Sequence, residues 1–208
     1  IFSNGSFKEG GRFYRGWWQN IPSEYRKFIS IDRKRTAEVD FSQMNPHLLY
    51  IANYKELGSE DAYDRVLDGD HRDTVKAAFN AMVQASSVLK SCPNDIDMSA
   101  LEMSWADLRD KILSAHKAIS DQFFKGIGNK LQFKDSCIAK RIMLNFAEMD
   151  APSLPVHDSF ICHHRYAETG EMEEIMRKAF FEEMNEHISK VDTEILPWSY
   201  YKEDNTPN

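Results

Sequence analysis

Glu38-Val39-Asp40-Phe41-Ser42-Gln43-Met44 is the stretch that decides the fold. It reads as a β-strand that delivers one carboxylate and runs straight into a helix from Pro46 to Leu57, whose Leu48, Leu49, Ile51 and Ala52 give an apolar side. An acid at the end of an apolar strand has a fixed position, and a fixed carboxylate supplies one of the oxygen ligands that a divalent cation needs. Asp40 is therefore the first candidate for chemistry. One carboxylate rarely holds a catalytic metal alone. A partner lies in Leu154-Pro155-Val156-His157-Asp158-Ser159-Phe160-Ile161, a strand-turn-strand with Asp158 at its tip, so that two acids on adjacent strands could share metal ions.

Composition sets the bounds. The chain has 208 residues, of which 42% are hydrophobic, enough for one core or two small lobes. No apolar run reaches the length of a membrane span and no signal peptide is present, so no membrane partner is expected. Cys92, Cys137 and Cys162 are odd in number and lack metal-type spacing, which predicts reduced thiols and a cytoplasmic setting. Net charge is −7, which argues against a generic nucleic-acid coating protein, yet residues 1–36 carry +5 and the remainder −12. A basic, aromatic-rich entry segment therefore precedes an acidic body. It could track a phosphate backbone or be a solvated basic loop.

Residues 4–22 place Gly5, Gly10, Gly11 and Gly16 among Phe7, Phe13, Tyr14, Trp17 and Trp18. Turns and short strands are expected there, with no helix and with the rings in the core rather than serving as platforms for bases. A short helix is expected from Ser59, a longer one from Asp70 to Lys90, more helix from Met98 to Phe124, and others over 131–148 and 171–188. Glu194-Ile195-Leu196 could supply a last strand, and Lys202 to Asn208 a frayed end. A step of four residues turns a helix by about 400°. Arg72, Lys76 and Asn80 thus share a face and could cradle a triphosphate, although a solvated face has the same composition.

Asp40-Phe41-Ser42-Gln43 resembles the Asp-Tyr-Ser-Gln of motif A in family A DNA polymerases, and Val156-His157-Asp158 resembles their motif C. Between them, Arg72 followed four residues on by Lys76 resembles motif B. Ahead of them, Gly10-Gly11-Arg12 and Gln19-Asn20-Ile21-Pro22 resemble the family's Thr-Gly-Arg and Leu-Gln-Asn-Ile-Pro segments. The four matches stand in the family's order and cover roughly residues 8–165. The resemblance implies an α+β right-hand polymerase palm, an antiparallel sheet backed by helices, with a compact helical fingers insertion. Its division would be palm 1–58, fingers 59–130 and palm 131–208. The resemblance implies that the thumb is absent from this chain; with Ile1 opening in mid-phrase, a thumb or N-terminal domain is expected elsewhere in a longer protein.

What the resemblance implies for the site is specific. Asp40 and Asp158 would hold two Mg²⁺ ions, or Mn²⁺, for template-directed nucleotidyl transfer with primer-template nucleic acid and nucleoside triphosphates as partners. Arg72 would clamp phosphates and Lys76 donate a proton to pyrophosphate. Gly11 would let the backbone approach a ligand, with Arg12, Gln19, Asn20, Gln132 and His157 along the nucleic acid. Three departures stand out. Asn45 replaces the family's ribose-excluding glutamate, Asn80 and Gln84 replace the motif B aromatics, and Ser159 follows Asp158, as in phage-type single-subunit RNA polymerases. The expectation is a DNA polymerase of phage or mobile-element type. Alternatives are an RNA-synthesising relative, a replication or initiation module that binds nucleic acid without efficient synthesis, and, more distantly, a metal-dependent nuclease. A zinc site from His157, Cys162, His163 and His164 is disfavoured, because neighbouring strand residues face opposite ways.

Overall fold

The computed structural model describes residues 1–68, 70–188 and 191–195; Leu196 and the expected frayed end lie outside them. The elements run β1 (Phe2–Ser3), β2 (Ser6–Gly10), α1 (Trp17–Asn20), α2 (Ser23–Arg26), β3 (Thr36–Phe41), α3 (Met44–Ala52), α4 (Arg72–Gln84), α5 (Trp105–Ala115), a 3₁₀ turn (Lys117–Gln122), α6 (Gly128–Glu148), β4 (Ser153–Val156), β5 (Ser159–His163), α7 (His164–Glu168), α8 (Glu171–Met184) and β6 (Val191–Ile195). The chain is α+β and divides into two compact units, residues 1–44 with 133–208, and residues 45–132.

The first unit is built on a four-stranded sheet in the order β4-β5-β3-β6, antiparallel throughout. Alternation along β3 buries Ala37, Val39 and Phe41 and leaves Glu38 and Asp40 on the other face. Phe41 meets Phe180 of α8 at 6.0 Å between ring centroids, and Ile138, Ile142 and Phe146 of α6 are buried with Met172 and Met176 of α8. Helix α8 starts at Gly170, whose φ of 77° only glycine adopts freely, and carries Glu171, Glu173 and Glu174 in its first turn, where they complement the helix dipole. Glu183 of α8 receives Lys134 and Arg141 of α6 at 3.1 and 3.2 Å, joining the two backing helices.

The entry segment lies across the β4–β5 hairpin. Trp18, Ile21 and Ile29 pack with Leu154, Val156 and Ile161, and the Trp18 indole donates to the carbonyl of Pro155 at 2.9 Å. Two expectations fail here. Residues 17–20 do form a single helical turn, because the Gln19 side chain accepts from the amide of Gly16 and closes it. Most of the rings are outside the core: Phe7, Phe13, Tyr14 and Trp17 are exposed, as are Tyr25 and Phe28 further on.

The second unit is helical. His116 is its buried polar centre: one ring nitrogen meets the Tyr50 hydroxyl at 3.0 Å and the other the carbonyl of Ala62 at 2.9 Å. Since a carbonyl can only accept, Nε2 carries the proton and Nδ1 accepts from Tyr50. Phe79 packs edge-on to His116, Tyr63 and Phe123. The expected helix at Ser59 is absent, because Asp61 accepts from the amides of Tyr63 and Asp64 and holds the chain in turns. Helix α4 stops at Gln84 rather than Lys90: Ala85 is extended and its carbonyl takes the amide of Gly126. The helix expected over 98–124 begins only at Trp105, capped by Ser104 and Asp107, and breaks at His116.

Candidate active site

Asp40 stands opposite Ser159 in the β3–β5 register, and the amide of Phe41 donates to the carbonyl of Asp158 at 3.4 Å. Asp158 thus lies diagonal to Asp40, with Cα atoms within about 7 Å by ordinary strand spacing. On the other flank, β6 sets Asp192 opposite Asp40 and Glu194 opposite Glu38. These four carboxylate residues and Thr193 line an open depression on the face of the sheet away from Phe41 and Phe180. Like charges opposite each other on neighbouring strands are unfavourable in water, so this face is one that cations would stabilise.

The hairpin that presents Asp158 is tight: Val156 pairs with Ser159, leaving His157 and Asp158 as the whole turn. His157 adopts φ 59°, which two-residue hairpins require and which a histidine adopts at a cost of about 1 kcal/mol. Its imidazole lies edge-on to Tyr14 at 6.1 Å. Partial burial, then the guanidinium of Arg12, hold it below its ordinary pKa against the pull of Asp158. Gln43, just past β3, is likewise at φ 60° and buried. The Ser159 hydroxyl donates to Glu38 across the strands and lies 3.1 Å from the carbonyl of Val156. It braces the turn.

Arg12 donates through Nε to Asp135 of α6 at 2.6 Å. Burial pulls its guanidinium down, but the charges of Asp135 and Asp158 outweigh that and hold it above its ordinary value. Asp135 is itself 2% exposed; burial pushes its carboxyl up to about 6, helped by Asp158 and opposed by Arg12. Arg12 is therefore in the field of Asp158 while anchored to α6. Gly11, at φ 88°, makes its close approach to protein rather than to ligand, since a Cβ there would sit 2.7 Å from Ser136 Oγ. Gln19 is also structural. Its amide donates to the carbonyls of Phe13 and Pro155 at 2.9 and 2.8 Å, and its oxygen takes Gly16, so no donor remains for a duplex. Asn20 is exposed and Gln132 half-buried.

In the second unit, Arg72 gives Nε and Nη2 to Asp61 at 3.1 and 2.9 Å and lies over the Tyr63 ring. Only part of its fork is left for a phosphate. Lys76 is exposed and makes no ion pair among the described residues. Asn45 donates to Asn80 at 2.9 Å, so two of the residues expected to bind the nucleotide meet across 35 positions of sequence.

Among the described residues no three His, Cys, Asp or Glu side chains converge as a metal cage. Asp40 and Asp158, on adjoining strand ends and offering oxygen donors only, are of the donor type that suits magnesium, which keeps its waters and takes substrate phosphates rather than a closed protein shell. Cys162, fully buried with its thiol pushed up to about 12, is a core residue, and the rings of His163 and His164 stack at 4.6 Å. Glu38, Asp135 and Asp192 were not singled out from sequence. The 38/40 spacing on one strand face was a signal for Glu38; Asp135 and Asp192 had none.

No family model and no curated relative matches the chain. Among solved structures, the POL domain of Pol1 from M. smegmatis in complex with DNA primer-template and dNTP is similar over 86% of this chain, at 13% sequence identity and a TM-score of 0.49; the chain spans 44% of that one. No helix is long and apolar enough to cross a membrane among the described residues.

Proposed function

We propose that the chain carries the palm and fingers of a template-directed nucleotidyl transferase, a DNA polymerase of the family A type from a phage or mobile element. The observation that carries this reading is the register that sets Asp158 of one strand end diagonal to Asp40 of the next, with the other sequence matches in the family's order. Asp40 and Asp158 would hold two Mg²⁺ ions. Bound there, the metal would supply a lowered pKa for a primer 3′-hydroxyl and neutralise charge on the leaving pyrophosphate. Arg12, drawn toward Asp158 yet tethered to Asp135, keeps a cation beside the site. Under this reading Arg72 would serve phosphate oxygens through Nη1, Lys76 would give a proton to the departing pyrophosphate, and Asn45 and Asn80 would meet the nucleotide.

Primer extension on a recessed duplex with Mg²⁺ or Mn²⁺ tests this. Extension by the wild type that is lost in Asp40→Asn and in Asp158→Asn is the expected result. Binding of the duplex with no extension under either metal sinks the enzyme reading. That outcome would instead favour a nucleic-acid-binding replication module with a degenerate palm. One observation speaks for it: both Arg12 and Arg72 spend hydrogen bonds on protein carboxylates.

A further inference from the structure

The entry segment has two sides with different chemistry. Its inward side, Trp18, Ile21 and Ile29, is already docked on the β4–β5 hairpin. Its outward side carries Phe13, Tyr14, Trp17, Tyr25 and Phe28, with Trp17 at 59% and Tyr25 at 56% relative exposure. Five exposed rings within sixteen residues exceed the scattered apolar groups that any surface shows. Since the segment's inward side is satisfied, the rings are not waiting to join the core. Cations are interleaved with them: Arg15 follows Tyr14, and the Lys27 ammonium lies 5.2 Å from the centre of the Phe28 ring, while Arg26 turns to Glu38 of β3 at 4.0 Å.

We propose that this surface binds single-stranded nucleic acid, stacking unpaired bases on Trp17, Tyr25 and Phe28 while Arg15 and Lys27 meet the phosphates. Charge complementarity selects the partner. Residues 13–28 carry Arg15, Arg26 and Lys27 against the single acid Glu24 in a chain that is −7 overall, and Arg15 and Lys27 make no ion pair among the described residues, so the aromatic surface suits a polyanion. Stacking selects the strand state, because a duplex hides its base faces and only unpaired bases offer them to a ring. Alternating rings and cations is the arrangement that sequence-tolerant single-strand binders use. Trp17, Tyr25 and Phe28 take no part in the Asp40–Asp158 chemistry proposed above. A chain that cannot synthesise could still bind a single strand, and one that synthesises could lack this surface.

The test is therefore read as binding, without nucleotides or extension. A labelled oligothymidylate and a blunt duplex are titrated with wild type, Trp17→Ala, Tyr25→Ala, Phe28→Ala and Trp17→Phe, each checked by its melting midpoint. The expected result is preferential single-strand binding that weakens about fivefold to a hundredfold per alanine. Trp17→Phe should keep most of the affinity while losing part of the fluorescence quenching that the oligonucleotide causes. Equal binding of both nucleic acids by wild type, or alanine variants with wild-type affinity, overturns the proposal. So does concentration-dependent self-association that the same substitutions abolish with no affinity for the oligonucleotide, which would assign the rings to a second copy. Should an alanine variant fail to fold, the absence of any quenching difference between wild type and Trp17→Phe is enough to overturn it.

Discussion

Acid should loosen the helical unit before it touches the sheet, and His116 is the reason. The ring is wholly buried, with both nitrogens in hydrogen bonds that suit its neutral form. A second proton would face the Tyr50 hydroxyl and lose the acceptor role of Nδ1. Burial, opposed by the bond to Ala62, brings its pKa down from 6.5 to about 4. Between those values the unfolded chain binds a proton that the folded chain refuses. His116 therefore contributes in full above pH 6.5, and that stability is lost as pH falls through the window toward 4. The difference amounts to about 3 kcal/mol over the whole window and about 2 kcal/mol by pH 5. Asp135 opposes this in the sheet unit. Its carboxyl is raised from 3.8 to about 6, so its contribution is present below 3.8 and is lost as pH rises through 6. Global unfolding would mix the two signs. Native-state hydrogen exchange of α4 and α5 amides reads the helical unit by itself. Protection there should fall between pH 7 and 5, after correction for intrinsic exchange, and an NMR titration should find the His116 ring neutral throughout. Protection unchanged over that range, or a ring that titrates near 6.5 in the folded chain, would refute the reasoning.

Three further outcomes are expected. Gly11→Ala places a side chain at φ 88° and 2.7 Å from Ser136 Oγ, and should cost about 2 kcal/mol in chemical denaturation; Ser136→Ala should restore only part of it, and a Gly11→Ala midpoint equal to wild type would show the approach is not tight. Asp135→Leu, which strands the Arg12 guanidinium, should lose about 3 to 5 kcal/mol, whereas Asp135→Asn keeps an acceptor for Nε and should lose less; equal losses would mean that the charge, which both variants remove, is at stake and that the hydrogen bond adds nothing. Under the polymerase reading, wild type should incorporate ribonucleotides measurably beside deoxyribonucleotides, and Asn45→Glu, replacing the partner of Asn80, should sharpen the choice. Competition between matched rNTP and dNTP on one primer-template checks this, and a wild-type deoxyribonucleotide preference above about 10⁴, unmoved by the glutamate, would place the gate elsewhere.

What sequence alone determined is what local periodicity and short-range order can encode. The strand ending in Asp40, the hairpin tipped by Asp158, the four-residue recurrence of Arg72, Lys76 and Asn80, and the helix facing Glu183 were all legible. Backbone period and turn chemistry depend on neighbours a few residues away. The antiparallel sheet was what the family resemblance implied, and its register sets Asp158 beside the cross-strand partner of Asp40, 118 positions away in sequence. Only the tertiary structure decided which polar groups spend their hydrogen bonds on the protein. Gln19 has the donors a duplex could use, and nothing within a few residues shows that the carbonyl of Pro155 takes one of them. Arg72 has the fork for a phosphate, and only folding brings the Asp61 carboxylate to it from eleven residues away. The rings of the entry segment have the size and apolarity of core residues. Whether they sink or stay in water depended on which side of the segment the β4–β5 hairpin covered, and Trp18, Ile21 and Ile29 took that side. A side chain's donors, charge and apolar area come with its residue type, but its partner is chosen by the chain that folding brings beside it.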